Sequence, residues 1–77
     1  MERHISDFLV HLDESLPPED QCKLEDYVRQ QPCVVGAGIS VDNPHLMVIA
    51  YDSACGPAKD ILYSIRDEGF RAEAIGF

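Results

Sequence analysis

Basic residues are scarce: six Lys and Arg stand against fourteen Asp and Glu in 77 residues, a net charge of −8. Sequence-independent binding to nucleic acid needs many cations to displace phosphate counterions, so that class is excluded. An anionic membrane surface is disfavoured for the same reason, and cationic partners or metal ions are favoured. No apolar run approaches transmembrane length, and Met1-Glu2-Arg3-His4 leads into a mixed strand and not a secretory apolar run. A cytoplasmic location is the expectation. Cysteines number three. An odd count fits reduced thiols better than a disulfide framework. Repeats, low-complexity tracts and internal linkers are absent. The chain is therefore read as one small domain, residues 1–77, whose single core supplies only a few kcal/mol of net stability.

Apolar residues make up 45% of the chain, enough for a packed core. From Ile5 to Leu12, Phe8, Val10 and Leu12 alternate with Asp7, Leu9 and His11, which predicts a strand. A polar loop follows over 13–20. Pro17 and Pro18 suit the first turn of a helix, Glu19 and Asp20 suit its positive end, and Ser15 is the expected cap. Leu24, Tyr27 and Val28, with Gln31, give that helix one packing side, and Pro32 ends it. Val34 to Val41 reads as a second strand with Ala37, Ile39 and Val41 on one face. Gly36 and Gly38 weaken it and mark a sheet edge.

Asp42-Asn43-Pro44 is a turn. His45 to Asp52 is apolar on both faces and predicts a central strand. Pro57 opens a second helix with Ile61, Leu62 and Ile65 as its buried stripe. Gly69 suits the left-handed position after the helix, with Phe70 packing back. In the last strand Ala72 and Ala74 point inward, and Ile75 and Phe77 lie on the alternate face. Strand, helix, strand, strand, helix, strand is the order of a ferredoxin-like α+β sandwich: a four-stranded antiparallel sheet in the order 4-1-3-2, with both helices on one face.

Tyr51-Asp52, Gly56-Pro57-Ala58-Lys59-Asp60-Ile61-Leu62, Ile65 and Gly69-Phe70-Arg71-Ala72-Glu73 resemble the C-terminal half of heavy-metal-associated (HMA) domains. That family includes copper chaperones, a mercury-binding periplasmic protein and the N-terminal domains of metal-transporting P-type ATPases. The upstream half is similar without gaps as far as Val34. Leu24 and Val28 fall on the family's helix core positions, and Cys33-Val34 on its Gly-Val. The resemblance implies the same sandwich, and a Gly-Met-x-Cys-x-x-Cys loop whose two thiolates hold a soft ion at a helix N-terminus. Here the loop reads Glu14-Ser15-Leu16-Pro17-Pro18-Glu19-Asp20. Pro17 and Asp20 stand in place of the cysteines, so thiolate exchange of copper does not carry over.

The topology gathers the first loop, the 42–44 turn and the Gly69 loop at one end. His11, Asp20, Cys22 and His45 are the candidate ligands there for a harder, mixed-donor ion. The plainer reading prevails: acids that cap a helix, a small cysteine and two surface histidines. Cys33 and Cys55 lie at the opposite end, either as a redox-sensitive pair or as two small loop residues, and the latter is the simpler expectation. No enzyme constellation is present, because no phosphate loop, acylphosphatase-like arginine or activated thiol can be found. No cofactor is implied beyond the metal ion just weighed.

The uncovered sheet face gathers Leu9, Leu46, Val48, Ile75 and Phe77. Burying roughly 400–600 Å² there would contribute about 10–15 kcal/mol before association costs that cancel most of it. The reading is a non-enzymatic binding or accessory module of HMA-like fold, associated with metal homeostasis, that meets a protein partner or a second copy through this face. The alternatives are a metal carrier or sensor using His11, Asp20, Cys22 and His45, and a regulatory domain that binds a small ligand at a dimer interface.

Overall fold

The computed structural model describes residues 4–75. Its elements are β1 (Ile5–Leu12), α1 (Pro18–Arg29), β2 (Val34–Ile39), β3 (Leu46–Asp52), α2 (Ala58–Asp67) and β4 (Ala72–Ile75). They form one antiparallel sheet in the order β2-β3-β1-β4, the expected ferredoxin-like arrangement read from its other edge. β1 pairs with β3 from Ile5↔Asp52 to His11↔Leu46. It pairs with β4 from Leu9↔Ile75 to Leu12↔Ala72. Among the described residues no helix is long and apolar enough to cross a membrane.

The alternation in β1 places Phe8, Val10 and Leu12 in the core, where Met47 and Ile49 of β3 meet them across the pairing register. The helices close that side. Leu24 and Val28 of α1 and Ile61, Leu62 and Ile65 of α2 are buried in the same cluster. Each helix thus contributes a stripe at spacings of three and four, and hydrophobic burial of these stripes holds the two layers together. Tyr27 is half-buried, and its hydroxyl donates to the Ser64 carbonyl at 3.1 Å, which ties α1 to α2. Phe8 and Tyr51 meet edge to face at 5.5 Å between centroids.

The end of α2 follows the sequence expectation closely. Gly69 has φ +103°, the Gly69 N–H donates to the Arg66 carbonyl and the Phe70 N–H donates to the Ile65 carbonyl. These two bonds form a Schellman motif, and Phe70 packs against the core.

Three local expectations are corrected. β2 ends at Ile39, and Val41 does not share its face but stands 96% exposed. The cause is the turn's own hydrogen bonding: Asn43 N–H donates to Ser40 Oγ, and Asn43 Oδ1 accepts from His45 N–H. These side-chain bonds replace the ladder, so the strand stops and β3 starts at Leu46, one residue later than expected. Ser15 does not cap α1. Pro17 occupies the capping position in extended conformation with no side-chain bond, and its carbonyl accepts from the Asp20 and Gln21 N–H groups. β2 also carries a register shift between Val34 and Gly36, at the first of its two glycines.

Both sheet edges are covered by side chains from the helices. Glu25 Oε2 accepts from the Ile39 N–H at 2.8 Å, and Arg29 Nε donates to the Ala37 carbonyl at 3.0 Å. On the far edge Arg66 Nε donates to the Ala72 carbonyl at 2.8 Å. Each helix so uses an arginine in its last turn to occupy a free carbonyl on the strand that follows it. This blunts edges that would otherwise invite another chain.

Candidate functional site

The β1–α1 loop, the turn before β3 and the Gly69 loop meet at one end of the sandwich. Two backbone bonds join them: Leu12 N–H to the His45 carbonyl at 2.7 Å, and Asp13 N–H to the Arg71 carbonyl at 3.0 Å. A cavity of about 250 Å³ opens there, lined by Leu12, Glu14, Leu16, Asp20, Phe70 and Arg71, with Gly69 at its rim. Among the described residues its polar side chains are two carboxylates and one guanidinium, and none of its lining residues carries sulfur. The Pro17 side chain carries no ligand atom. Asp20, at the third helical position, is half-buried beside the cavity.

The four residues weighed as ion ligands are only partly brought together. His11 and His45 stack at 5.8 Å between ring centroids, with 15° between planes. His45 Nδ1 lies 2.8 Å from the Leu12 carbonyl, and His11 Nδ1 lies 3.7 Å from Asp13 Oδ1. Asp20 lines the cavity, and Cys22 is an exposed free thiol on α1. Among the described residues no group of three or more His, Cys, Asp or Glu is placed to hold a metal ion. The histidine stack was not foreseen as such. It follows from the β1–β3 register, because His11 sits opposite Leu46 and brings His45 alongside.

At the opposite end the cysteine expectation is overturned. Cys33 and Cys55 form a disulfide with Cα atoms 5.4 Å apart. Cys33 has φ +74°, in the left-handed region that β-carbon-bearing residues rarely adopt. The side chain cross-links the α1–β2 connection to the β3–α2 loop. Gly56 makes room, since a Cβ there would lie 3.2 Å from the Cys33 sulfur. The odd cysteine count misled because one thiol, Cys22, stands apart on the helix surface.

The third surface is the side of the sheet away from the helices. Gly38, Val48, Leu9 and Ile75 lie in one row across all four strands, by direct pairing. Val48, Leu9 and Ile75 are 43%, 39% and 41% exposed, so the row is apolar and open. Leu46 is half-buried on the same face, opposite His11. Phe77 lies outside the described residues. Asp7, Asp52 and Glu73 share this face by strand alternation and put acids around the apolar row.

Two solved structures are similar to this sandwich. The copper-binding domain from HMA7, a P-type ATPase, superposes with a TM-score of 0.79 at 18% identity, covering 91% of this chain and 93% of its own. Oxidized MerP from Ralstonia metallidurans CH34 superposes with a TM-score of 0.81 at 8% identity, covering 94% of this chain and 99% of its own. The chain has an HMA-like fold. No protein-family model matches it, and no curated protein matches it significantly. At these identities the likeness speaks for architecture alone. The HMA-like fold is thus present, and its β1–α1 end carries Glu14, Pro17, Asp20 and Arg71.

Proposed function

We propose that this chain is a non-enzymatic binding or accessory module of HMA-like fold, associated with metal homeostasis, that has given up the thiolate loop and meets a partner protein through its open sheet face. The observation that carries this reading is the pairing of two surfaces on one fold. The loop end presents Pro17 and Asp20 in place of sulfur, and the sheet presents Val48, Leu9 and Ile75 in one uncovered row.

Three partly exposed side chains are too few for a standing homodimer, which normally buries about 800 Å² or more on each copy. Two copies at −8 each would also repel. The face fits a partner with an apolar centre and a basic rim, which would pair with Asp7, Asp52 and Glu73. The association with metal handling rests on the architecture shared with the copper-binding domain from HMA7. The two capped sheet edges support face-on contact over strand addition.

The test places a photo-crosslinking residue at Leu9, at Ile75 and, as a control on the helix layer, at exposed Tyr63. The expected result is one metal-handling protein captured from Leu9 and Ile75 but not from Tyr63. Capture falls with added salt and is lost in the Val48→Asp variant. Equal capture from Tyr63, or a Val48→Asp variant that behaves as the parent does, contradicts the reading.

A further inference from the structure

We propose that Cys33 and Cys55, once reduced, form a two-thiolate site for one soft monovalent ion of the cuprous class, at the end of the sandwich opposite the β1–α1 loop. This holds whether or not the sheet face binds a partner.

The two sulfurs are brought together by backbone that does not depend on the bond between them. The Cys33 carbonyl accepts from the Asp52 N–H at 2.8 Å, and the Asp52 carbonyl accepts from the Cys55 N–H at 3.0 Å. Val34 N–H is held by the Gln31 carbonyl. These bonds survive reduction, so the thiols stay opposed across a Cα separation of 5.4 Å. Two collinear metal–sulfur bonds of about 2.3 Å set the sulfurs roughly 4.6 Å apart. Rotation about each Cα–Cβ bond reaches that spacing from the bonded position.

The donor set chooses the ion. Two thiolates select soft ions. Zinc normally takes four ligands, and among the described residues no third or fourth donor is grouped here. A two-coordinate ion needs none.

The surroundings choose between ion binding and thiol chemistry. Asp52 lines a cavity on one side of the pair, Asp60 lines one on the other, and neither cavity is lined by Lys, Arg or His. The acids disfavour a bare thiolate nucleophile and attract a cation. Helix α2 begins three residues after Cys55, and its free N–H groups favour the single negative charge of a bis-thiolate–cuprous complex.

The cycle balances with a small thiol as reductant. Two molecules of that thiol reduce the Cys33–Cys55 bond, give two protein thiols and leave as their own disulfide. The ion then replaces the two thiol protons, which pass to solvent. The same exchange run in reverse expels the ion: the small disulfide accepts two electrons and two protons to give two small thiols, the Cys33–Cys55 bond re-forms, and the ion leaves unchanged in charge.

The test titrates cuprous ion against a coloured chelator, without oxygen, into the oxidised chain, the reduced chain, and reduced Cys33→Ser, Cys33→Gly and Cys22→Ser variants. The expected result is one ion per reduced chain and none per oxidised chain. Binding in both Cys33 variants should be roughly a hundredfold or more weaker, since losing a ligand exceeds the ten- to hundredfold cost of losing an outer-sphere partner. Cys22→Ser should match the parent. Cys33→Gly suits the left-handed backbone, so a loss in that variant is not a folding failure. Equal binding by the parent and the Cys33 variants, or loss in Cys22→Ser, overturns the proposal. So does a reduced chain that loses its far-ultraviolet dichroism and does not regain it with the ion.

Discussion

Removing the Cys33–Cys55 cross-link tests how this small fold is held together. The bond closes a loop with a sequence separation of 22. In the chain-entropy account, opening a loop of that size frees the unfolded ensemble and costs about 3 kcal/mol. A chain of 77 residues has roughly 4–12 kcal/mol of net stability. The reduced protein therefore stays folded at room temperature with a melting temperature lowered by about 12–24 °C, at about 4–8 °C per kcal/mol. A second quantity comes from Cys33 itself. Its φ of +74° costs a residue with a β-carbon about 1 kcal/mol relative to glycine. Once the cross-link is gone, nothing recommends a side chain there. The doubly substituted Cys33→Gly/Cys55→Ser chain should accordingly be more stable than Cys33→Ser/Cys55→Ser by about 1 kcal/mol. Urea unfolding of both variants and of the oxidised parent measures both differences, and the two variants should share one m-value. The reasoning is refuted if Cys33→Ser/Cys55→Ser lies within about 1 kcal/mol of the parent, or if the glycine variant gains nothing over the serine one.

Two further outcomes follow from other parts of the structure. Pro17→Cys with Asp20→Cys rebuilds two sulfurs three residues apart at the start of α1; it should confer tight cuprous binding, in a Cys33→Ser/Cys55→Ser background, that the unmodified loop lacks, as chelator competition will show. Gly69→Ala meets no steric contact but forces φ near +103° on alanine, so thermal unfolding should show a loss of about 1–2 kcal/mol, with no change in ion binding.

The parts of this fold that could be read in the chain were those fixed by burial. Phe8, Val10 and Leu12 alternate, and Leu24, Val28, Ile61, Leu62 and Ile65 recur at helical spacing, because one side of each element has to face the same core. Gly69 and Phe70 announced the end of α2 for an equally local reason. What escaped the reading depends on partners distant in sequence. Ser40 and Asn43 end β2 by bonding to backbone across the turn, and Glu25, Arg29 and Arg66 cover sheet edges whose position is known only once the sheet is assembled. The cross-link escaped because Cys33 and Cys55 lack short spacing and because Cys22 makes the count odd. At the loop end Pro17 and Asp20 could be read directly from the chain, and their lack of sulfur with them. The stacking of His11 on His45 needed the strand register.

The disulfide also bears on where such a chain works. Disulfides persist in oxidising compartments and are usually transient and redox-linked in cytosolic proteins, so the Cys33–Cys55 bond does not itself support the cytoplasmic expectation.

The most direct test of the central claim, that the β1–α1 loop no longer holds an ion, is calorimetric titration of the oxidised chain with zinc and nickel, and chelator-competed titration with cuprous ion, the Cys33–Cys55 bond left intact. The account predicts no binding tighter than micromolar at that end. Sub-micromolar binding that disappears in Cys22→Ser or Asp20→Asn would contradict it.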